Sequence, residues 1–323
     1  MPHTQKSTDI PRSINHILEL FLPVIVPMSI VLGFLLPSVF INLRPYIPWL
    51  FGIMTFSGAL KLTAGQLGAA VRSPLPILLF FVSAHILMPV VAMLASSLFI
   101  KNPDVVSGFV LLFAGPTAVT GFIWASIFKG DMALCLTLIL LDTLLAPVVV
   151  PLSISILMGA KVTMNMSGIA ISLLFMIVIP TIAGVTINEA SRRKAPEIIC
   201  PYLDPAAKLC MLSVIATNAS IIAPGINFAN PIIWKTAVLT FVLTITGFLV
   251  IKFTTVLGKC RYPKDITMII AGGLRNNSAV MTIAVAFFPE AAVLPTLLSV
   301  MLQQSIAAIM GKLFLRKRGT ANH

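Results

Sequence analysis

Two short interruptions in long apolar stretches decide the fold of this chain: AGPT at residues 114–117 and AGGLRNN at residues 271–277. Proline removes a helix hydrogen bond and clashes with the preceding turn. Paired glycines followed by two asparagines supply backbone freedom and local hydrogen-bonding groups. Each interruption begins about eight to ten residues into its stretch, which is a depth of about 12–15 Å at about 1.5 Å per residue. The sequence therefore predicts two helices that break near the middle of a membrane.

The composition predicts that the chain lies in lipid. Hydrophobic residues make up 58% of it and charged residues only 10%, whereas soluble domains carry about 25% charged residues. Ten apolar stretches are long enough to span a bilayer, which takes about 20 residues. They lie near residues 15–37, 46–64, 75–99, 105–128, 132–158, 166–188, 206–224, 231–256, 264–287 and 290–313.

Ten spans divide into two sets of five. Because five is odd, the second set enters the membrane from the opposite side, as in the inverted repeats of secondary transporters. A single interruption would be an ordinary kink, but interruptions at matching positions of both halves favour this architecture. The sequence thus predicts an all-α polytopic membrane protein of two inverted five-helix repeats, in which helices 4 and 9 are broken and cross.

The basic residues predict the orientation. Four lie between spans on one side: Arg44, Lys101, Lys161 and Lys235. Sixteen lie on the side of the N-terminus: Lys6, Arg12, Lys61, Arg72, Lys129, Arg192, Arg193, Lys194, Lys208, Lys259, Arg261, Lys264, Lys312, Arg316, Lys317 and Arg318. The positive-inside rule then predicts a multi-pass protein of the cell (inner) membrane with both termini in the cytoplasm. The net charge of +12 reflects this bias, and we expect no nucleic-acid partner.

Around the two interruptions the chain resembles the bile acid:sodium symporter family of ten-helix organic-anion carriers. The most specific stretches are AHILMP at 84–89, GPTA at 115–118 and GLRN at 273–276. The resemblance extends over nearly the whole chain and implies a single transporter domain, 1–323. Within it, spans in 15–64 and 166–224 would form a panel subdomain, spans in 75–158 and 231–313 a core subdomain, and the substrate would bind in the cleft between them.

The chain departs from the family at the sodium-binding positions that the resemblance implies. The family has Ser-Asn after the first break, Ser and Thr on the fifth helix, a glutamine on the third, and Glu-x-Gly-x-Gln-Asn on the ninth. This chain has Val119-Thr120, Cys135 and Ile139, Ala84, and AGGLRN at 271–276. A sodium ion needs several oxygen ligands, and a permanent positive charge among them is repulsive. We expect the standard sodium sites to be absent, assign no metal ligands and expect no other cofactor.

Three ionisable residues, Arg275, Asp142 and His85, lie well inside spans, where they are costly and indicate function. Arg275 and Asp142 are at nearly equal depth, which predicts a buried ion pair between them. Alternatively, Arg275 faces the cleft and binds a carboxylate or sulfonate, for which a guanidinium suits the geometry. His85 is either a core residue or, with Asp142, the candidate for proton coupling.

The sequence predicts a secondary carrier of a small organic anion, either bile-acid-like or another carboxylate or sulfonate. The candidate substrate or crossing residues are Thr117, Thr120, Asn218, Arg275, Asn276 and Asn277. The alternatives are an uncoupled or proton-coupled channel or facilitator, and a transport-inactive ligand-binding receptor on the same fold. The chain has neither an H-E-x-x-H motif nor a P-loop, so we do not expect an enzyme. The expected partners are the anion and the bilayer; the oligomeric state is open, with a monomer as the simplest case.

Overall fold

The computed structural model describes residues 15, 17, 18, 21, 24–65, 74–159, 165–225 and 229–319, and the side chains up to residue 315. The described residues are almost entirely helical. The helices are α1 (Val24–Leu35), α2 (Pro37–Phe40), α3 (Ile47–Ala59), α4 (Pro74–Phe99), α5 (Pro103–Ala114), α6 (Gly121–Ile127), α7 (Met132–Met158), α8 (Met166–Ala190), α9 (Ala195–Ile222), α10 (Pro231–Leu257), α11 (Lys264–Gly273), α12 (Asn277–Phe287) and α13 (Leu294–Gly319). The predicted cytoplasmic termini lie outside the described residues, as does most of 15–23.

Among the described residues, six helices are long and apolar enough to cross a membrane. The number is seven if α1 and the segment Pro37–Ala59 together count as one bent span. The bend between these two segments is 96°. The fold is therefore an all-helical multi-pass membrane protein, but the predicted ten spans are not confirmed. Four predicted spans are not among these six helices. The predicted spans 105–128 and 264–287 are each divided into two helices, and the described parts of the predicted spans 15–37 and 46–64 correspond to α1 and Pro37–Ala59, which are long enough only as one bent pair. A helix of about 12 residues extends only about 18 Å, too little to cross alone.

The helix α9 starts earlier than the sequence indicated. We predicted a span from residue 206, whereas the helix begins at Ala195 and continues to Ile222. Pro196 lies in its first turn, where proline is favourable because that N–H has no helical partner. The polar stretch with Pro196 therefore extends the helix toward its N-terminus.

The chain folds as two compact units. One comprises Met1–Ala64 with Ser172–Ile226, and the other comprises Gly65–Ile171 with Asn227–His323. In the first unit, α3 packs against α8 and α9. Where α3 ends, the Asp204 carboxylate accepts hydrogen bonds from Ser57 Oγ and Lys61 Nζ, both at 2.8 Å. This charged cluster marks a water-facing end of the unit.

The second unit is built around two short helices. All ten residues from Val105 to Ala114 of α5 are buried, and so are the nine residues from Asp265 to Gly273 of α11. A helix that is buried on every side belongs to the interior of its unit and not to a lipid-facing surface. The side chains of Leu138, Phe248 and Ile306 pack in the same apolar core as α11. Both helices end among buried residues of the second unit, where the candidate site lies.

Candidate functional site

The first broken helix leaves unwound backbone between α5 and α6. α5 ends at Ala114, and Gly115 is extended, with φ −60° and ψ 156°. Pro116 accounts for this end, because proline disfavours the α conformation in the residue before it and cannot donate a backbone hydrogen bond. α6 begins only at Gly121.

The second broken helix leaves unwound backbone between α11 and α12. α11 ends at Gly273, and Leu274 is extended, with φ −101° and ψ 116°. Asn276 caps the start of α12, where its Oδ1 accepts a hydrogen bond from Ala279 N at 3.2 Å. The structure thus confirms both predicted breaks. We call residues 115–120 and 274–276 together the crossing.

The two parts of the crossing pair with each other through their backbones. Thr117 and Arg275 form an isolated antiparallel bridge. Two hydrogen bonds flank it, from Ala118 N to Leu274 O at 3.0 Å and from Asn276 N to Pro116 O at 2.7 Å. At membrane depth, unwound backbone is tolerated only where protein or water satisfies it. Here, backbone groups at each break form hydrogen bonds with backbone groups at the other break.

Side chains from two long helices satisfy further backbone groups of the bridge. The Thr117 N–H donates to Asp142 Oδ2 of α7 at 2.7 Å, and Thr117 Oγ1 donates to Ala271 O at 3.0 Å. Gln303 of α13 accepts from Arg275 N at 3.0 Å through Oε1 and donates to Arg275 O at 2.8 Å through Nε2. The bridge is therefore held from both sides by buried polar side chains.

The Arg275 guanidinium is buried within the second unit, with the residue only 2% exposed. Its Nη1 donates to Gly115 O at 3.1 Å, and its Nη2 donates to Ala84 O at 2.9 Å. Gly115 O belongs to the end of α5, and the carbonyl end of a helix carries partial negative charge. The guanidinium thus links α4 to the crossing through two carbonyl groups that favour a cation.

The sequence of α4 explains why Ala84 O is available. Residues Ser83–Leu87 form a π-helical turn, in which Met88 N–H donates to Ser83 O. The next donor in this register would be residue 89, with Ala84 O as its acceptor, but residue 89 is proline and has no N–H. The orphaned carbonyl accepts its hydrogen bond from Arg275 instead.

His85, on the same π turn, lies against Asp142. His85 Nε2 is 2.8 Å from Asp142 Oδ1, although the two groups are not aligned for a directional hydrogen bond. The His85 ring stacks on Phe81, with ring centroids 5.5 Å apart, and Nδ1 has no hydrogen-bond partner among the described residues. Asp142 is fully buried and therefore contacts both His85 and the crossing.

The predicted direct ion pair between Asp142 and Arg275 is wrong. Among the described residues, Asp142 and Arg275 form no salt bridge, which would require a nitrogen–oxygen distance of 4.0 Å or less. The two charges still interact electrostatically. The reason is competition for partners. The Asp142 oxygens face Thr117 N–H and His85, while the guanidinium binds the two carbonyls that the helix breaks leave unpaired.

The structure places four of the other predicted residues at or beside the crossing, and three of them, Thr117, Asn276 and Asn277, make structural contacts there. Thr117 is buried, Asn276 caps α12, and the Asn277 Nδ2 donates to Ser299 Oγ at 3.0 Å. Thr120 is partly exposed and precedes α6. Asn218 is buried in α9, within the first unit.

Sequence reasoning missed the two glutamines of α13. Gln303 pairs with the Arg275 backbone, and Gln304 Oε1 accepts from Trp124 Nε1 at 2.7 Å. Gln304 Nε2 also lies 3.4 Å from Thr120 Oγ1. Two adjacent glutamines within an apolar span could have indicated this contact, because polar side chains in a membrane helix need hydrogen-bond partners. Gln304 and Thr120 form the more exposed edge of the crossing.

The paired glycines at the second break are needed for space. Gly272 and Gly273 lie in the last turn of α11, and neither has a positive φ. A Cβ on Gly273 would lie 2.3 Å from ring atoms of Phe248, and a Cβ on Gly272 would lie 2.1 Å from Ile251 Cδ1. We predicted that these glycines supply backbone freedom, and this reason is wrong. Glycine is needed at both positions because its lack of a side chain allows α11 to pack closely on α10.

The residues present do not fit a sodium ion at the positions that the family resemblance implies. Two carbonyl oxygens at the break, those of Gly115 and Ala84, already bind the guanidinium. Cys135 and Ile139 lie in the buried apolar core and offer no oxygen side chain.

Comparisons with known proteins agree with this architecture. The family model described as "Sodium Bile acid symporter family" matches residues 47–226. The chain is 36% identical to "Uncharacterized protein YbaS" of Bacillus subtilis (strain 168) over 296 residues, which is 91% of this chain and 97% of the relative.

Two more distant relatives have transporter names. "Uncharacterized sodium-dependent transporter YocS" of Bacillus subtilis (strain 168) is 26% identical over 89% of this chain and 88% of its own length. "Probable sodium/metabolite cotransporter BASS3, chloroplastic" of Oryza sativa subsp. japonica is 24% identical over 91% of this chain and 69% of its own length. With the family model covering more than half of its length, this multi-pass membrane protein belongs to the sodium bile acid symporter family.

Proposed function

We propose that this protein is a secondary carrier of a small organic anion. The observation that supports this best is the crossing itself, in which two buried half-helices of the same unit end and pair through unwound backbone. Secondary transporters build substrate and ion sites at such broken helices, since the helix ends supply charge and free hydrogen-bonding groups. The family and the transporter names of its relatives support the same class of function.

The proposed topology is ten spans in two inverted repeats in the cell (inner) membrane, with both termini in the cytoplasm. A correspondence between the two breaks supports the repeat. Asp142 of α7 satisfies the backbone of Thr117, and Gln303 of α13 satisfies the backbone of Arg275. In each half, a side chain of the helix that follows the broken one thus supports the residue at the centre of the break.

The proposed substrate carries a carboxylate or sulfonate group. Buried Arg275 contributes positive potential to the crossing without direct contact, because its donors bind two backbone carbonyls. Thr120 and Gln304, at the partly exposed edge, are the proposed direct contacts, since a hydroxyl and an amide can donate to an anion. Asn218 remains a proposed contact from the first unit.

We propose that uptake does not require sodium, in contrast to the coupling that the names of two relatives state. This rests on the poor fit of the family sodium positions in this chain. If transport is coupled to protons, the His85–Asp142 pair is the candidate site, because it is buried and contacts the crossing.

Uptake by purified protein in proteoliposomes tests the proposal. A thermal-shift screen of bile acids, short keto acids and alkyl sulfonates, with and without sodium, first identifies an anion that binds. Uptake of the labelled anion should saturate, show counterflow, and persist when choline replaces sodium. Strict sodium dependence would refute the coupling proposal. Unsaturable flux would indicate a channel, and binding without uptake would indicate a receptor.

A further inference from the structure

A cation-binding position built from two backbone carbonyls lies between α4 and the crossing. Gly115 O lies at the end of α5, and Ala84 O is orphaned on the π turn by Pro89. Buried carbonyls without donors are costly, and the ends of interrupted helices are where secondary transporters coordinate cations. The negative charge of Asp142, which is fully buried nearby, adds to the attraction for a cation.

The side chain of Arg275 fills this position. Its two terminal nitrogens bind the two carbonyls, at 3.1 and 2.9 Å, and the residue is 2% exposed. The Gln303 side chain hydrogen-bonds to both the N–H and the C=O of Arg275, which fixes the position of the Arg275 backbone and orients its side chain. A second cation beside the guanidinium would be repelled strongly at such short range in a low-dielectric interior.

We propose that Arg275 is a tethered cation, a permanent part of the chain that occupies the position where a coupled carrier would bind a free ion. This inference deepens the proposed function and rests on it, since it explains why the carrier would work without sodium. It also predicts a new site. Removal of the side chain should leave a cavity that binds a free guanidinium ion or an alkali cation.

The test is chemical rescue of purified Arg275→Ala, with wild type and Arg261→Ala as controls. Arg261 is exposed in a loop, so its loss should not create a cavity. Arg275→Ala should have a lower Tm than wild type. Millimolar guanidinium should raise that Tm by several degrees without raising the Tm of either control, and urea at equal concentration should have no such effect.

Sodium and potassium provide a second test of the same position. A rise in the Tm of Arg275→Ala with sodium or potassium, absent in wild type, also supports a vacated cation position. The proposal is overturned if guanidinium and both alkali cations shift the Tm of all three proteins equally. It is also overturned if sodium stabilises wild type as it stabilises the variant, because the position would then accept an ion beside Arg275.

If Arg275→Ala does not fold, Arg275→Lys and Arg275→Met replace it. Both side chains are long and flexible, but only lysine carries a charge. Arg275→Lys should keep most of the wild-type Tm and anion uptake, while Arg275→Met loses both; equal behaviour of the two overturns the proposal. Failure of wild type to take up any anion would refute the carrier proposal and leave the Tm rescue as an independent result.

Discussion

Gln303 hydrogen-bonds to both backbone groups of Arg275, accepting from its N–H at 3.0 Å and donating to its C=O at 2.8 Å. The side-chain amide of Gln303 thereby pairs with a backbone N–H and C=O, as a neighbouring β-strand would. Arg275 is also the residue of the crossing that carries a buried charge. The opposite side of the bridge has a related support, in which Asp142 accepts from Thr117 N. These two contacts suggest which substitutions should disrupt the crossing.

Replacing Gln303 should destabilise the protein strongly. Gln303→Leu leaves the N–H of Arg275 buried without a partner, while its C=O still accepts from Asn277 N at 2.8 Å. An unsatisfied buried group costs about 1–3 kcal/mol, so we expect a loss of about that size in the free energy of unfolding, measured by denaturant titration in detergent. The matched control is Gln304→Leu, whose side chain bonds to Trp124 at a more exposed edge. An equal loss in both variants would contradict this view.

Asp142 combines a charge with a backbone acceptor, and two variants separate these roles. Asp142→Asn keeps an oxygen for Thr117 N–H but removes the charge, whereas Asp142→Leu removes both. Both variants remove the negative charge beside His85 and the buried Arg275, so both should be less stable than wild type. The leucine variant should lose about 1–3 kcal/mol more, because Thr117 N–H loses its acceptor. A double-mutant cycle of Asp142→Asn with His85→Gln should give a coupling energy of about 1–3 kcal/mol. A coupling near zero would mean that the 2.8 Å contact has no energetic effect.

Pro89 should affect stability in a way that depends on Arg275. Arg275→Met removes the donor to Ala84 O, while Pro89→Ala restores a backbone N–H that can reach it. Pro89→Ala should therefore stabilise the Arg275→Met background by about 1 kcal/mol more than it stabilises wild type. Pro180→Ala, at the equivalent position after the π turn Leu174–Val178, is the control and should act equally in both backgrounds. Additivity of Pro89→Ala would show that Ala84 O has another donor.

Gly273 should not tolerate a larger residue. In Gly273→Ala the new Cβ would lie 2.3 Å from the Phe248 ring, and overpacking of this kind costs about 1–3 kcal/mol. The control is Gly52→Ala, since a Cβ there would meet Pro180 Cγ at an ordinary 3.6 Å. We expect Gly52→Ala to leave the Tm unchanged or raise it. Combining Gly273→Ala with Phe248→Leu should recover part of the lost Tm; no recovery would mean that the clash lies elsewhere.

The proposed topology predicts which introduced cysteines react from outside the cell. Lys101→Cys and Lys235→Cys should react with a membrane-impermeant maleimide in intact cells, whereas Lys129→Cys and Lys194→Cys should react only after permeabilisation. All four positions are exposed. Burial raises the pKa of the native Cys260 thiol, so it stays protonated near neutral pH and should contribute little background. Labelling of Lys194→Cys in intact cells would refute the orientation.

The sequence by itself determined the membrane class and the positions of both helix breaks. These features are local or compositional: apolar length sets the solvent, and Pro116 ends α5 through its own covalent geometry. The predicted span count was not confirmed, because the sequence does not show that α1 and Pro37–Ala59 meet at a bend of 96° or that two apolar stretches divide into short helices.

Only the tertiary structure decided the partners of Arg275. From depth alone, Asp142 was its natural counter-ion, and charge attraction favours that pair. The folded core instead presents two carbonyls without donors, one from the π turn before Pro89 and one from the end of α5. A buried carbonyl must find a donor, and which donor it finds depends on helices distant in sequence. The role of Gln303 was hidden for the same reason, since its partner is the backbone of a residue 28 positions away.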